Sequence, residues 1–203
     1  DIAILMHRQT QSHPYEDALK RLGIPFHVVG GRRFYGQQEV RDAVTALAAV
    51  RNSGDNARVA ALLRSPLVAL SDEGLYSHTL MDADARRSLS ADDRAKAERA
   101  AAWLAHFVPR AGRVSVAQLV EEIVFEGLPA TPDGRPAAPA LAHVHLAGFL
   151  GEQRYANLRK LLERARVHAL GGGVRLEDFL EQVEASVDAG VEEAEAPLAG
   201  ESS

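Results

Sequence analysis

The spacing of apolar residues changes once along this chain, near Gly31, and the change separates two kinds of structure. Before that point lies "IAILM", a continuous apolar run that predicts a buried strand. "IPFHVVGG" predicts a second strand, closing on a glycine pair. Between them "PYEDALKRLG" has helical character: Pro14 suits a first turn, Ala18, Leu19 and Leu22 are apolar, and Gly23 stops it. The order predicts a parallel β-α-β unit on the edge of an α/β sheet, too short to be a domain alone.

Beyond it the period is helical. "QQEVRDAVTALAAVRNSG" places Val40, Ala43, Val44, Leu47 and Val50 on one face and stops at Asn52-Ser53-Gly54. Asp55 is placed to cap "NARVAALLRS", Ser71-Asp72-Glu73 to start "EGLYSHTLM", and Ser90 to Asp93 to begin "DRAKAERAAAWLAHFVPR". "SVAQLVEEIVFEG" predicts another helix, and "LPATPDGRPAAP" a hinge or exposed loop. "ALAHVHLAGFLGEQRYANLRKLLERARVHAL" reads as one long helix or two, ending at Gly171-Gly172-Gly173. "RLEDFLEQVEASVDAG" is a last amphipathic helix. The remaining "VEEAEAPLAGESS" has no core-forming pattern and predicts a flexible linker. No internal repeat is visible.

Composition narrows the functional classes. With 203 residues, 46% hydrophobic and 25% charged, the chain can bury a core as one large domain or two small ones. The absence of cysteine excludes disulfides and thiolate metal sites. No apolar stretch approaches the roughly 20 residues of a membrane span, and no segment resembles a signal peptide, so the expectation is a cytoplasmic protein without a membrane partner. The net charge of −5 conceals an asymmetry: Leu176 to Ser203 carries nine acidic residues and no basic one. Asp1–Arg175 holds 23 basic against 19 acidic residues, a net +4 that permits a polyanionic partner without requiring one. Twenty of those basic residues are arginine, which high-GC codon usage explains as well as phosphate binding does.

Few residues carry chemistry by themselves. Arg8 directly follows an apolar strand, where an α/β sheet presents its ligand-facing ends; an arginine there either stabilises a transferring phosphoryl group or is a surface residue. Gln11 and Ser12 lie between that strand and its helix, and capping alone would explain Ser12. His143 and His145 share a face only in a strand, in helical surroundings and with no third ligand, which argues against a metal site. Gly171-Gly172-Gly173 lacks the phosphate-loop pattern, and no Gly-Lys pair occurs in the chain. There is no G-x-S-x-G elbow and no H-E-x-x-H, so the sequence holds no complete catalytic apparatus.

Four stretches taken together resemble the superfamily 1A DNA helicases of the UvrD/Rep/PcrA type, most nearly the AddA and RecB branch of helicase–nucleases. "IAILMHRQTQSHPYEDALKRLGIPF" is similar to helicase motif IV and its following helix, with an Arg and a Gln-Ser pair after the strand. "HVVGGRRFYGQQEVRDAVTALAAV" is similar to the next block, a Gly-Gly, an aromatic and a Glu-[VI]-x-Asp helix. "DNARVAALLRSPLVALSDEGLY" and "RYANLRKLLERARVHA" complete the set, whose middle, about Arg86 to Gly151, is only generically helical. Two departures stand out. His13 replaces the usual Arg, and "RSPLVALSD" replaces the Gly-Ile-Gly hairpin with which the UvrD and Rep enzymes grip duplex DNA.

The resemblance implies a mainly α fold: a short N-terminal β-α-β piece of a RecA-like domain followed by a helical insertion domain. Residues 1–65 would be the first segment of motor domain 2A, 66–190 the 2B-like insertion, and 191–203 an acidic linker leading back to the motor domain. The chain would be an excised piece of an ATP-dependent 3′-to-5′ helicase working in double-strand-break repair and recombination. Arg8 would contact the γ-phosphate of ATP, with Gln11 beside it at the nucleotide, and Phe34, Tyr35, Glu39 and Asp42 would help form the face near DNA. ATP with Mg²⁺ would be bound mainly by parts of the parent enzyme absent here, and the isolated fragment would be inactive. Its partners would be DNA, held weakly, the remaining motor domains, and an AddB-like subunit. A competing reading is a non-catalytic helical interaction or regulatory module that retains a helicase-derived fold.

Overall fold

The computed structural model describes residues 2–5, 13–24, 26, 34–79, 89–129, 138–147, 150–173, 175–189, 191 and 193–196. Among them the protein is helical, with α1 (His13–Arg21), α2 (Gln38–Arg51), α3 (Asn56–Arg64), α4 (Asp72–Thr79) and α5 (Ala91–Phe107) in its first half. α6 (Val116–Glu121), α7 (Leu141–Leu146), α8 (Gly151–Leu170) and α9 (Leu176–Asp188) follow. A 3₁₀ turn at Val108–Arg110 closes α5, and a π-helical turn at Glu122–Glu126 extends α6.

The mainly helical class is as expected; of the predicted β-α-β unit, Met6 of the first strand and all of the second but Ile24 and Phe26 lie outside the described residues. Their sole β pairing is an isolated antiparallel bridge between Leu128 and Ala138. The first predicted strand was expected to be buried, yet Ile2 and Leu5 are 96% exposed. An apolar strand is covered only when a neighbouring strand or helix lies against it, and no described segment does. The helix between the two predicted strands does form. Gly23, at φ 65°, lets Ile24 N–H reach back to Leu19 O at 3.0 Å and end α1.

α2 is the centre of the molecule. Of its predicted stripe, Val40, Ala43, Leu47 and Val50 are buried and Val44 is half-buried against the core, and Ala46, Ala48 and Ala49 beside it are buried. A helix covered on most sides must be small where its neighbours approach, which the alanines provide. α8 packs across it through Leu158, Leu161, Leu162 and Ala165, a spacing that places all four on one stripe. α9 adds Phe179, Leu180 and Val183, while Trp103, Phe107, Leu119 and Ile123 close the same core from α5 and α6. Residues on both sides of position 65 therefore share one core.

The long apolar segment near residue 150 is two helices. Leu150 adopts a left-handed conformation (φ 58°), and a Cβ on Gly151 would lie 2.1 Å from Leu146 O, so only glycine permits α8 to start against the end of α7. A smaller cluster of Leu63, Leu70 and Ala100 lies under the turn between α3 and α4. There Asp93 accepts from Ser71 N (3.0 Å), Ser71 Oγ (2.7 Å) and Ser90 Oγ (3.1 Å). The two predicted helix starts, Ser71 and Ser90, are thus joined by one carboxylate. Asp55, predicted to cap α3, accepts from Ala57 and Arg58 N–H, whereas Ser115, which accepts from Gln118 N–H, is a cap the sequence reading did not name; Ser12 lies outside the described residues.

Candidate functional site

The residues with the most polar contacts gather where the N-terminal end of α2 meets α8. α8 presents Gln153, Asn157, Lys160 and Arg164 along one edge of its buried leucine stripe, at intervals of four, three and four residues. Across this edge runs an extended segment, Glu193–Ala196, part of what the sequence predicts to be a flexible linker. It follows the end of α9 through a turn in which Val191 N–H donates to Ser186 O (3.0 Å) and Glu193 N–H to Val191 O (3.0 Å).

This strap is held backbone and side chain alike. Gln153 Nε2 donates to Ala196 O at 2.8 Å, Ala196 N–H donates to Asn157 Oδ1 at 2.9 Å, and Lys160 Nζ donates to Ala194 O at 2.7 Å. On the opposite side Phe34 N–H donates to Glu193 O at 3.2 Å, and Gln37 Nε2 to Glu195 Oε1 at 2.6 Å. The pattern of apolar residues could not reveal it, because backbone groups and amide side chains do the gripping and only Ala196 is buried.

Asn157 is the hub. It is fully buried; its amide donates to Glu39 Oε1 (2.7 Å) and Glu195 Oε2 (3.1 Å), while its oxygen accepts from Ala196 and from Gln153 Nε2 (3.4 Å). Both donors and both acceptor positions are thereby used. The one sequence signal for this role is an asparagine beside the apolar stripe of a helix that otherwise buries leucine and alanine.

Glu193 is the charged centre of the strap. Its carboxylate pairs with Lys160 Nζ at 2.7 Å and with the Arg164 guanidinium. Burial pushes the Glu193 carboxyl up, but the bonds and charges of Lys160 and Arg164 outweigh it and hold the group below the usual carboxylate range. Burial, reinforced by the Glu193 charge, raises the Tyr35 phenol. Lys160 also lies 4.7 Å over the Phe34 ring, and the Phe34 and Tyr35 rings meet edge to face at 4.9 Å.

The candidates named from sequence fall in two groups. Arg8 and Gln11 lie outside the described residues. Phe34, Tyr35, Glu39 and Asp42 come together around this cluster, and all but Tyr35 are buried. Asp42 accepts from Gln38 Nε2 at 2.8 Å and faces His145 Nε2 at 3.1 Å, an approach poorly aligned for a hydrogen bond. Gln153, Asn157, Lys160, Arg164 and the strap were not anticipated as parts of a site.

Comparison with known proteins places a likeness at the start of the chain. Residues 1–86 match the family described as UvrD-like helicase C-terminal domain. ATP-dependent DNA helicase UvrD1 of Mycobacterium tuberculosis is 38% identical over 72 residues, 36% of this chain and 9% of that protein. DNA helicase II of Haemophilus influenzae is 35% identical over 75 residues, 37% of this chain and 10% of its own length. DNA helicase II of Escherichia coli is 32% identical over a stretch of the same length. The resemblance to superfamily 1A UvrD/Rep helicases is therefore supported for this segment, and the matched stretch spans about a tenth of these relatives. No described helix is long and apolar enough to cross a membrane.

Proposed function

We propose that this chain is part of an ATP-dependent 3′-to-5′ DNA helicase or helicase–nuclease of the AddA/RecB-like branch, acting in the cytoplasm in double-strand-break repair and recombination. The observation that carries the reading is the match of residues 1–86 to the UvrD-like helicase C-terminal domain. On this reading 1–65 belong to motor domain 2A, 66–190 form the 2B-like accessory domain, and 191–203 lead back to the motor. DNA, the other motor domains and an AddB-like subunit are the partners.

Arg8 is the residue assigned to chemistry, as a γ-phosphate contact with Gln11 nearby. An always-charged planar guanidinium suits that task because it neutralises charge spread over the phosphoryl oxygens. ATP and its Mg²⁺ are assigned mainly to other parts of the parent enzyme.

In the full-length parent, Arg8→Ala should leave nucleotide binding nearly intact and slow DNA-stimulated ATP turnover by about 10³-fold. Steady-state ATPase assays with a nucleotide-binding control measure both. A change in turnover below about threefold would return Arg8 to a surface role.

A further inference from the structure

The donor set around Glu193 is that of a phosphate site. An ammonium and a guanidinium converge on one anionic group. Two aromatic rings adjoin it, Phe34 beneath Lys160 and Tyr35 against Phe34. Paired basic groups of this kind meet the backbone phosphate of single-stranded nucleic acid, while the fully buried Phe34 ring keeps to the core. The anion now in place belongs to the chain itself. It sits in the acidic region after Leu176, which opposes the +4 excess of Asp1–Arg175.

We propose that the Glu193 carboxylate stands in for a nucleic-acid phosphate. The strap Glu193–Ala196 is a built-in cover over a backbone-phosphate site for single-stranded DNA, formed by Lys160 and Arg164. The inference rests on the DNA-helicase reading above and adds to it a specific site and its regulation.

The strap is suited to lifting. Its grip is mostly hydrogen bonds to backbone and partly exposed charges, each worth about 1 kcal/mol when water can replace it. Ala196 is its only buried side chain, so little apolar area opposes release. The carboxylates that stay behind are already engaged: Glu39 with Asn157, and Asp42 with Gln38 and facing His145. With Glu193 and Glu195 gone, Lys160 and Arg164 are left facing the vacated position.

The test is binding of a fluorescently labelled oligothymidylate to the 203-residue chain at about 50 mM salt, read by anisotropy. Neutralising the strap with Glu193→Gln and Glu195→Gln should tighten binding about threefold to tenfold. Adding Lys160→Gln and Arg164→Gln should abolish that gain; both side chains are partly exposed, so these changes leave the core intact. Saturating oligothymidylate should also accelerate hydrogen exchange at the Ala196 amide of the unaltered chain. Tightening that survives without Lys160 and Arg164 would show general charge repulsion and overturn the site. So would an unchanged affinity, an Ala196 amide that stays protected under saturation, or no binding by any variant. The helicase reading is scored separately by DNA-stimulated ATPase of the parent enzyme, which a failure of the strap does not affect.

Discussion

Two carboxylates clasp distant parts of this molecule, and they do so by different physics. Asp93 joins the starts of α4 and α5 through a backbone amide and two serine hydroxyls. Glu193 joins the strap to α8 through an ammonium and a guanidinium. Both are held below the usual carboxylate range, Asp93 chiefly by its bonds from Ser71 and Glu193 by cations that overcome burial. Neutral donors fixed by helix geometry make a permanent joint, since salt screens them little. A pair of long cations around one carboxylate makes a joint that salt, acid or a competing anion can open.

The largest expected effect strikes the neutral hub beneath the charged clasp. Asn157→Ala removes every bond of a fully buried amide and leaves the Glu39 carboxylate, 2% exposed, without it. Destabilisation of about 3 kcal/mol is expected. Urea unfolding measures it; a loss below about 1 kcal/mol would show that water fills the site and that Asn157 is not the hub.

The next effect sharpens the contrast. Asp93→Ala unties the capping serines of two helices from each other and should lower the melting midpoint by several degrees, by the same amount at about 50 mM and about 500 mM salt. Hydrogen exchange should rise in the first turns of α4 and α5 while the strap stays protected. A deficit that shrinks at high salt would place Asp93 in the same electrostatic class as Glu193.

That difference also decided what was legible in the sequence. Caps are local: Ser90 lies three residues from Asp93, and Ser, Asp and Asn before an apolar period announce a helix start. The helices themselves were readable from the 3.6-residue period of Val40, Leu47 and Val50, or of Leu158, Leu161 and Ala165. The Glu193 clasp unites residues 29 positions apart along the chain, and Asn157 meets Glu39 across 118. No periodicity encodes such pairs. "VEEAEAPLAGESS" has no core-forming pattern, so the strap Glu193–Ala196 within it was read as linker. The predicted strand "IAILM" failed differently. Its apolar pattern says that something must cover it, but coverage depends on a neighbour that the pattern does not specify.

The smallest effect is the most diagnostic. Glu193→Gln keeps the size of the side chain and one acceptor oxygen for Lys160 and Arg164, while removing the charge and turning the other oxygen into an amide donor. Arg164 is 48% exposed, so solvent screens much of the pair, and the variant should cost about 0.5–1 kcal/mol at neutral pH. The sign with pH follows from the depressed carboxyl. Its folded state binds fewer protons than its unfolded state, so its contribution is fully present above the ordinary carboxylate value and is lost as pH falls through the lower folded value. The stability gap between the unaltered chain and Glu193→Gln should therefore close in acid, and at neutral pH it should narrow as salt rises. Urea titrations of both proteins across pH and salt measure this directly. A gap that persists below the carboxylate range would show that the Glu193 charge is not what separates the two proteins, and a gap indifferent to salt would remove the distinction between the two clasps.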